Sequence, residues 1–274
     1  MNCDECGENV PDNLRLCPDC ATPKHSKASR SFAAAPCSAS FRGASIINSD
    51  CMAVMSKLAD NSYDLAICDP PYGIGEHGGK ARHKPNAQKF TIFEPKHWDN
   101  EPPTAEYFSE LRRVSKNQII WGANYFSEHL PPSMGWVFWD KIIGGDFSDG
   151  ELAYTSFQRA LKKFTHAPFH NRATNHASAQ GQCRIHPCQK PVPLYKWLLA
   201  NYAQPGQRIL DTHMGSGSSV IAALDLHHEI LACEIDEQYY ATAVDRIGRH
   251  EQQGTLAMTR NVAMSDRAGG SRGT

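Results

Sequence analysis

The chain has 274 residues, a formal net charge of −1, 41% hydrophobic and 21% charged residues, the balance of a globular protein with room for one sizeable α/β domain and a small appendage. No apolar run reaches the roughly 18 residues that a membrane span requires, and the N-terminus, opening on cysteines and acids, lacks the charged and apolar regions of a secretory signal. A membrane partner is therefore not expected, a cytoplasmic location is, and the near-zero charge gives no global sign of nucleic-acid binding.

In chain order, residues 1–22 are rich in cysteine, with Cys3-x2-Cys6 and Cys17-x2-Cys20. In a reducing compartment two such pairs predict a zinc-ribbon-like module holding a structural Zn²⁺. Four thiolates would close the coordination sphere, so the metal has no catalytic part. Residues 23–43, rich in Ser, Ala and Lys, read as a linker. Regular alternation then runs over 44–250, and residues 251–274 read as a disordered tail.

Within the alternating region, Ser45–Asn48 is a predicted strand and Met52–Leu58 a predicted helix. Tyr63–Cys68 is an apolar run of buried-strand length. It stops at Asp69-Pro70-Pro71-Tyr72, where two prolines forbid continuation of a central strand. Residues 73–100 form a long loop carrying Lys80, Arg82, Lys84 and Lys89. Thr104–Val114 is an amphipathic helix with Thr104 as its N-cap. Gln118–Trp121 and Trp136–Trp139 are strands, and residues 145–185 are irregular and polar. Pro193–Tyr202 is a helix, Arg208–Asp211 a strand, Ser218–Leu226 a helix, Glu229–Glu234 a strand and Glu237–Arg249 a helix. Strands alternating with helices predict a mostly parallel sheet covered on both faces.

Two strand ends carry chemistry, and in open α/β sheets ligands bind at the carboxyl ends of strands. The first is Asp69-Pro70-Pro71-Tyr72. An exocyclic amine of a nucleobase is a poor nucleophile because its lone pair is delocalised into the ring. A carboxylate and a backbone carbonyl can accept its two N–H bonds and aim the lone pair at an electrophile. Asp69 and the carbonyl of Pro70 fit those parts, Pro70 fixes the carbonyl direction, and Tyr72 can stack on a flipped base. A plain proline turn would explain Pro70 and Pro71 but not the acid and the aromatic that bracket them.

The second is Arg208–Asp211 followed by Thr212-His213-Met214-Gly215-Ser216-Gly217-Ser218, a helix, a strand and Glu234. Gly215 and Gly217 let the backbone approach a ligand, and an acid ending the next strand commonly holds ribose hydroxyls. The pattern is not G-x-G-x-x-G, so an adenosine-bearing cofactor other than a nicotinamide is favoured.

In this combination the chain resembles the amino-methyltransferases of DNA. Asp69-Pro70-Pro71-Tyr72 is similar to their catalytic motif. Asp211–Ser218 (DTHMGSGS) resembles their cofactor loop D-P-F-x-G-S-G, from which Thr212 and His213 depart. His186-Pro187-Cys188-Gln189-Lys190-Pro191 resembles the H-P-x-x-K-P segment that precedes that loop, and Asn48-Ser49-Asp50-Cys51 resembles the family's G-D segment. The order of motifs is that of the β class. The resemblance implies the Rossmann-like, mostly parallel sheet of a class I S-adenosylmethionine-dependent methyltransferase. It implies cofactor contacts from Asp50, Lys190, Pro191, Asp211, Gly215, Ser216, Gly217, Ser218 and Glu234, with Asp50 on the adenine. It implies catalytic roles for Asp69, Pro70, Pro71 and Tyr72, and a target-recognition region at about 145–185.

That last region lies in a stretch, Leu152 to Leu210, with no Asp or Glu but with eight Lys and Arg residues, a pattern that suits a phosphate-facing surface. D-P-P-Y accompanies adenine N6 in this family more often than cytosine N4. The resemblance therefore implies site-specific methylation of adenine N6 in double-stranded DNA by an enzyme whose relatives often form homodimers. The alternatives are cytosine N4 or RNA as substrate, and a silent, zinc-containing DNA-binding regulator. Of the remaining cysteines, each is expected to be a small buried residue rather than a ligand.

Overall fold

The computed structural model describes residues 37–75, 96, 98–142, 148–167 and 185–269, with side chains described as far as residue 253. The expected zinc-ribbon-like module, with Cys3, Cys6, Cys17 and Cys20, lies outside the described residues, as do Lys80, Arg82, Lys84 and Lys89.

The elements in order are β1 (Ser38–Phe41), β2 (Ala44–Asn48), α1 (Cys51–Met55), β3 (Tyr63–Cys68), α2 (Ala105–Val114), β4 (Ser115–Trp121), β5 (Trp136–Asp140), β6 (Gly150–Thr155), β7 (Lys162–Thr165), α3 (Val192–Tyr202), β8 (Arg208–Asp211), α4 (Ser218–Asp225), β9 (Glu229–Glu234) and α5 (Glu237–Gly269). Short 3-10 turns at Ala123–Tyr125 and Ser127–His129 follow β4. The described strands form one sheet in the order β1-β2-β9-β8-β3-β4-β6-β5-β7. The pairs β2/β9, β9/β8, β8/β3, β3/β4 and β5/β7 are parallel; β1/β2, β4/β6 and β6/β5 are antiparallel. This is the expected Rossmann-like, mostly parallel sheet.

Why β3 reads as a continuous apolar run follows from its position. Leu65 and Ile67 face one core with α3, α4 and α5, which supply Leu194, Leu198, Val220, Ala243 and Ile247. Ala66 and Cys68 face a second core with α1 and α2, which supply Met55, Phe108, Leu111 and Val114. A strand buried on both faces has no polar side to show. Truncating one of these side chains, Leu65→Ala for example, is worth about 2–5 kcal/mol by the usual cost of an internal cavity. Trp121 and Trp139 are fully packed in the first core and meet edge to face at 6.2 Å. Cys68 and Cys233 are buried as expected, whereas Cys37 and Cys188 are exposed.

Three expectations are corrected. The end of the linker, Ser38–Phe41, is an edge strand, paired antiparallel with β2 from Ser38↔Ile47 to Phe41↔Ala44. It carries little apolar signal because one side of it faces solvent. The segment read as irregular contains β6 and β7, and β6 is inserted in the sheet between β4 and β5. The segment read as a disordered tail continues α5 to Gly269; it holds no proline, and Ala257, Met258, Ala263 and Met264 are good helix formers that extend a helix already anchored by its first turns. No helix among the described residues is long and apolar enough to cross a membrane.

Candidate active site

β3 and β8 are parallel neighbours, in register at Leu65↔Ile209 and Ala66↔Leu210. Their carboxyl ends therefore lie side by side, bringing Asp69-Pro70-Pro71-Tyr72 next to the loop that begins at Asp211. β9 adjoins β8 on its other side, with Asp211 opposite Ala232, and carries Glu234 to the same rim.

At the first strand end, Asp69 sits half-buried in a cluster of charges. The hydroxyl of Tyr72 donates to Asp69 Oδ1 at 2.7 Å, and Lys190 Nζ pairs with the same oxygen. Lys190 Nζ also reaches Glu151 Oε2 at 3.2 Å and donates to the Tyr72 hydroxyl at 3.1 Å. Glu151 Oε1 is held by Lys141 at 2.5 Å. Two carboxylates and two ammonium groups thus compensate one another, the condition under which buried charge is tolerated. Burial pushes the Asp69 carboxyl up, Lys190 pulls it down and Glu151 pushes it up again. For Glu151 burial is outweighed by the charges of Lys190 and Lys141, which hold it down at about 2. Lys190 is raised to about 12: burial opposes its charge, but Asp69 and Glu151 outweigh that.

The turn itself is fixed from below by Asp99, whose Oδ1 accepts from the backbone N–H of Tyr72 at 2.7 Å and of Gly73 at 2.9 Å. Pro70 is buried and Pro71 half-buried. The ring of Tyr72 stacks on Tyr125, with centroids 5.1 Å apart and planes at 17°. Tyr125 is 44% exposed, so the pair forms an aromatic step from the interior to solvent.

At the second strand end, Asp211 is 1% exposed. It accepts from the backbone N–H of His213 at 3.0 Å and from Ser219 Oγ at 2.5 Å. Burial raises its carboxyl to about 7. Gly215 and Gly217 have φ of +52° and +75°, conformations that favour glycine. Gly217 is the N-cap of α4, and a Cβ there would fall 2.8 Å from Ile247. Ser216 Oγ and Ser218 Oγ are 3.1 Å apart, and Arg246 Nη1 donates to Ser216 O at 2.7 Å and to Ser218 Oγ at 3.0 Å. Glu234 accepts from Gly215 N–H through Oε2 and from Asp236 N–H through Oε1, both at 2.9 Å. Burial raises its carboxyl. Asp50 is exposed and caps α1, accepting from Ala53 N–H at 3.1 Å. Two residues before it, Asn48 Nδ2 donates to Glu234 O at 2.8 Å.

The two positions that depart from the D-P-F form make a buried polar chain. Thr212 Oγ1 lies 2.7 Å from the Tyr107 hydroxyl and 2.9 Å from His213 Nδ1. Burial lowers His213 to about 4, so the ring is neutral at physiological pH.

The segment from His186 to Pro191 joins the two sites. The His186 ring packs on Tyr239 at 4.4 Å and lies beside Gly215, where an added Cβ would be 3.6 Å from it. Four residues on, Lys190 is bonded to Asp69, and Pro191 is the N-cap of α3. Lys190, expected on the cofactor side, therefore contacts the Asp69 cluster, as does Glu151, which sequence reasoning missed. The one signal for Glu151 was its being the last acid before the acid-free stretch that begins at Leu152.

Among known proteins, residues 120–245 match the N6/N4 methyltransferase family model, described as DNA methylase. The type II methyltransferase M.HpaI of Haemophilus parainfluenzae is 24% identical over 240 residues, 74% of this chain and 73% of that protein. Among solved structures, the M1.HpyAVI–SAM complex is 16% identical with a TM-score of 0.48, covering 74% of this chain and 98% of that one. The cytosine-N4-specific PvuII DNA methyltransferase is 10% identical with a TM-score of 0.48, covering 77% and 92%. From residue 120 to 245, a stretch that includes Glu151, Lys190, the glycine loop and Glu234, this chain is similar in sequence to the DNA methylases of the N6/N4 type.

Proposed function

We propose that the protein transfers a methyl group from S-adenosylmethionine to the N6 amine of adenine in double-stranded DNA. The observation that carries this reading is the adjacency of Asp69-Pro70-Pro71-Tyr72 and the Asp211–Ser218 loop at the carboxyl ends of neighbouring parallel strands. The match of residues 120–245 to the DNA methylase family supports it.

The donor set at the second strand end suits an adenosyl group. Glu234 offers a carboxylate for ribose hydroxyls, Asp50 an exposed carboxylate for the adenine amine, and Gly215 a backbone without a Cβ. Asp211, Ser216, Gly217 and Ser218 hold the loop in shape, and Lys190 and Pro191 close the segment between the two sites. S-adenosylmethionine, when bound, supplies an activated methyl group. The rest is positioning. The target base leaves the duplex and enters beside the Tyr72–Tyr125 step. Asp69 Oδ1 is occupied by Tyr72 and Lys190, whereas Oδ2 has no hydrogen bond among the described residues. Oδ2 and the Pro70 carbonyl accept the two N–H bonds of the amine, and its proton passes to Asp69 after transfer.

The acid-free stretch up to Leu210 and the loop after Gly75 are proposed to face DNA phosphates. Cys3, Cys6, Cys17 and Cys20 are proposed to bind one structural Zn²⁺, on their spacing alone; metal analysis of the purified chain at about one zinc per chain supports this, and none overturns it. Light scattering decides between monomer and the homodimer proposed from the resemblance.

The test of the activity is incubation with methyl-labelled S-adenosylmethionine and unmethylated DNA, followed by nucleoside mass spectrometry. N6-methyladenine, lost in Asp69→Ala with cofactor binding retained, is the expected result. N4-methylcytosine would overturn the base assignment, and unlabelled DNA would overturn the reading itself.

A further inference from the structure

Glu151 is the surprise of the site, an acid from a strand on the far side of β4 with no part in the motif that supplies Asp69. Its carboxylate bridges two lysines, taking Lys141 on Oε1 at 2.5 Å and Lys190 on Oε2 at 3.2 Å. Oε2 also lies 3.3 Å from the Tyr72 hydroxyl. Lys190 is 4% exposed and has two carboxylates to serve, and both Tyr72 and Lys190 meet Asp69 at Oδ1. Drawing Glu151 half out of water only to pair with Lys141 would gain little, since such a pair roughly breaks even once its desolvation is counted.

Resting on the methylase reading, we infer that Glu151 is a positioning residue for methyl transfer, sharing Lys190 with Asp69 so that the lysine is confined to Oδ1 and Oδ2 stays open to the substrate amine. Without the carboxylate of Glu151, Lys190 has one anion left. It is drawn across both oxygens of Asp69, where it competes with the amine for Oδ2 and makes the carboxylate a weaker acceptor and base. Without Lys190, the two half-buried acids repel each other, and the Asp69 carboxyl is pushed further up. Lys190 favours the charged form of Asp69, Glu151 offsets part of that pull, and sharing the lysine leaves Asp69 half-free.

The groups that face Asp69 are Glu151 from β6, Lys190 and Cys188 from the segment before α3, Tyr195 from α3, Asp211 at the end of β8, and Tyr72 of its own turn. Of these, Glu151 and Lys190 are the charged groups whose removal changes the local charge in opposite senses. Glu151→Gln removes a negative neighbour, so the Asp69 midpoint falls. Lys190→Met removes a positive one, so it rises. A purely structural acid would shift the midpoint as any near charge does but leave turnover at saturating substrates close to wild type.

The experiment follows the Asp69 carboxyl directly, by carbon NMR of the full chain labelled at aspartate carboxyls, with Asp69→Asn identifying the resonance. Turnover on DNA is measured in parallel. Wild-type turnover is determined first and tests the methylase reading by itself; the midpoints test the cluster whether or not that reading stands. Expected are midpoint shifts of about one pH unit, down in Glu151→Gln and up in Lys190→Met. Turnover in Glu151→Gln should fall about tenfold or more, with cofactor affinity unchanged and partial recovery in Glu151→Asp. An unmoved midpoint in both variants overturns the inference. So does a shifted midpoint with turnover intact. If Glu151→Gln does not fold, Glu151→Asp and Lys190→Met carry the same comparison, and an unmoved midpoint in Lys190→Met is decisive against it.

Discussion

Gly122 lies flat against the ring of Tyr72: a Cβ at that position would fall 2.1 Å from the ring carbon Cε1. Gly122 also has φ of +68°, so it is glycine for two separate reasons, conformation and contact. Any side chain there must displace a rigid ring whose hydroxyl is bonded to Asp69. Gly122→Ala is therefore expected to cut methylation of DNA by about tenfold or more and to lower stability by about 1–3 kcal/mol, the usual cost of overpacking. Binding of the proposed cofactor, assigned to the loops after β8 and β9, should be retained. Kinetics and calorimetry on the same preparation check both; wild-type activity in Gly122→Ala would mean that Tyr72 need not hold its place.

The pH dependence of stability should carry the mark of Asp211. Its carboxyl is raised by burial from an ordinary 3.8 to about 7. The folded protein therefore binds this proton more tightly than the unfolded chain, and the contribution runs against stability as the group ionises. It is absent below about pH 4, grows as pH rises through the interval, and is complete above about 7. Each unit of displacement is worth about 1.4 kcal/mol. Asp211→Asn, which keeps an acceptor for His213 N–H, should be more stable than wild type at pH 8, with the gap closing toward pH 4. Thermal melts across that range check it, and a gap independent of pH would rule out Asp211 as the source.

Arg246 reaches from α5 to the glycine loop, with one nitrogen on Ser216 O and Ser218 Oγ. Burial lowers it to about 10, still charged at neutral pH. Arg246→Met should loosen the loop and leave the Asp69 cluster untouched. The expected result is a cofactor Kd raised about tenfold, equivalent to about 1.4 kcal/mol, with turnover at saturating cofactor close to wild type. Calorimetric titration and initial rates separate the two; an equal loss in both would tie Arg246 to the chemistry instead.

How much of this was legible in the sequence depended on where each residue finds its partner. β3, β8 and β9 match their expected bounds residue for residue, because an apolar run ended by Asp-Pro-Pro, by the glycine loop or by Glu234 is a local signal. β6 was missed because GELAYT opens with a charge whose burial makes sense only once Lys141 and Lys190 are seen beside it. Lys190 itself was assigned to the cofactor by the resemblance of its segment to H-P-x-x-K-P, yet it bonds Tyr72 across 118 residues. Thr212 and His213 looked like departures from a motif; in the fold they are a hydrogen-bonded chain to Tyr107. The motifs pointed to the two strand ends, while Glu151 and the charge balance around Asp69 were written only in three dimensions.

β6 runs against its neighbours, so its first residues, Gly150 and Glu151, lie at the rim where β4 and β5 end. It is also the link by which β5 and β7 join the rest of the described sheet. Glu151 thus reaches Asp69 only when the two portions of the sheet have been stitched together. During refolding, the helices and the strands from β2 to β4 can assemble into something native in its far-ultraviolet spectrum while the charge cluster is still open. Recovery of turnover should then trail recovery of secondary structure, and the chain would report its own completion through its chemistry.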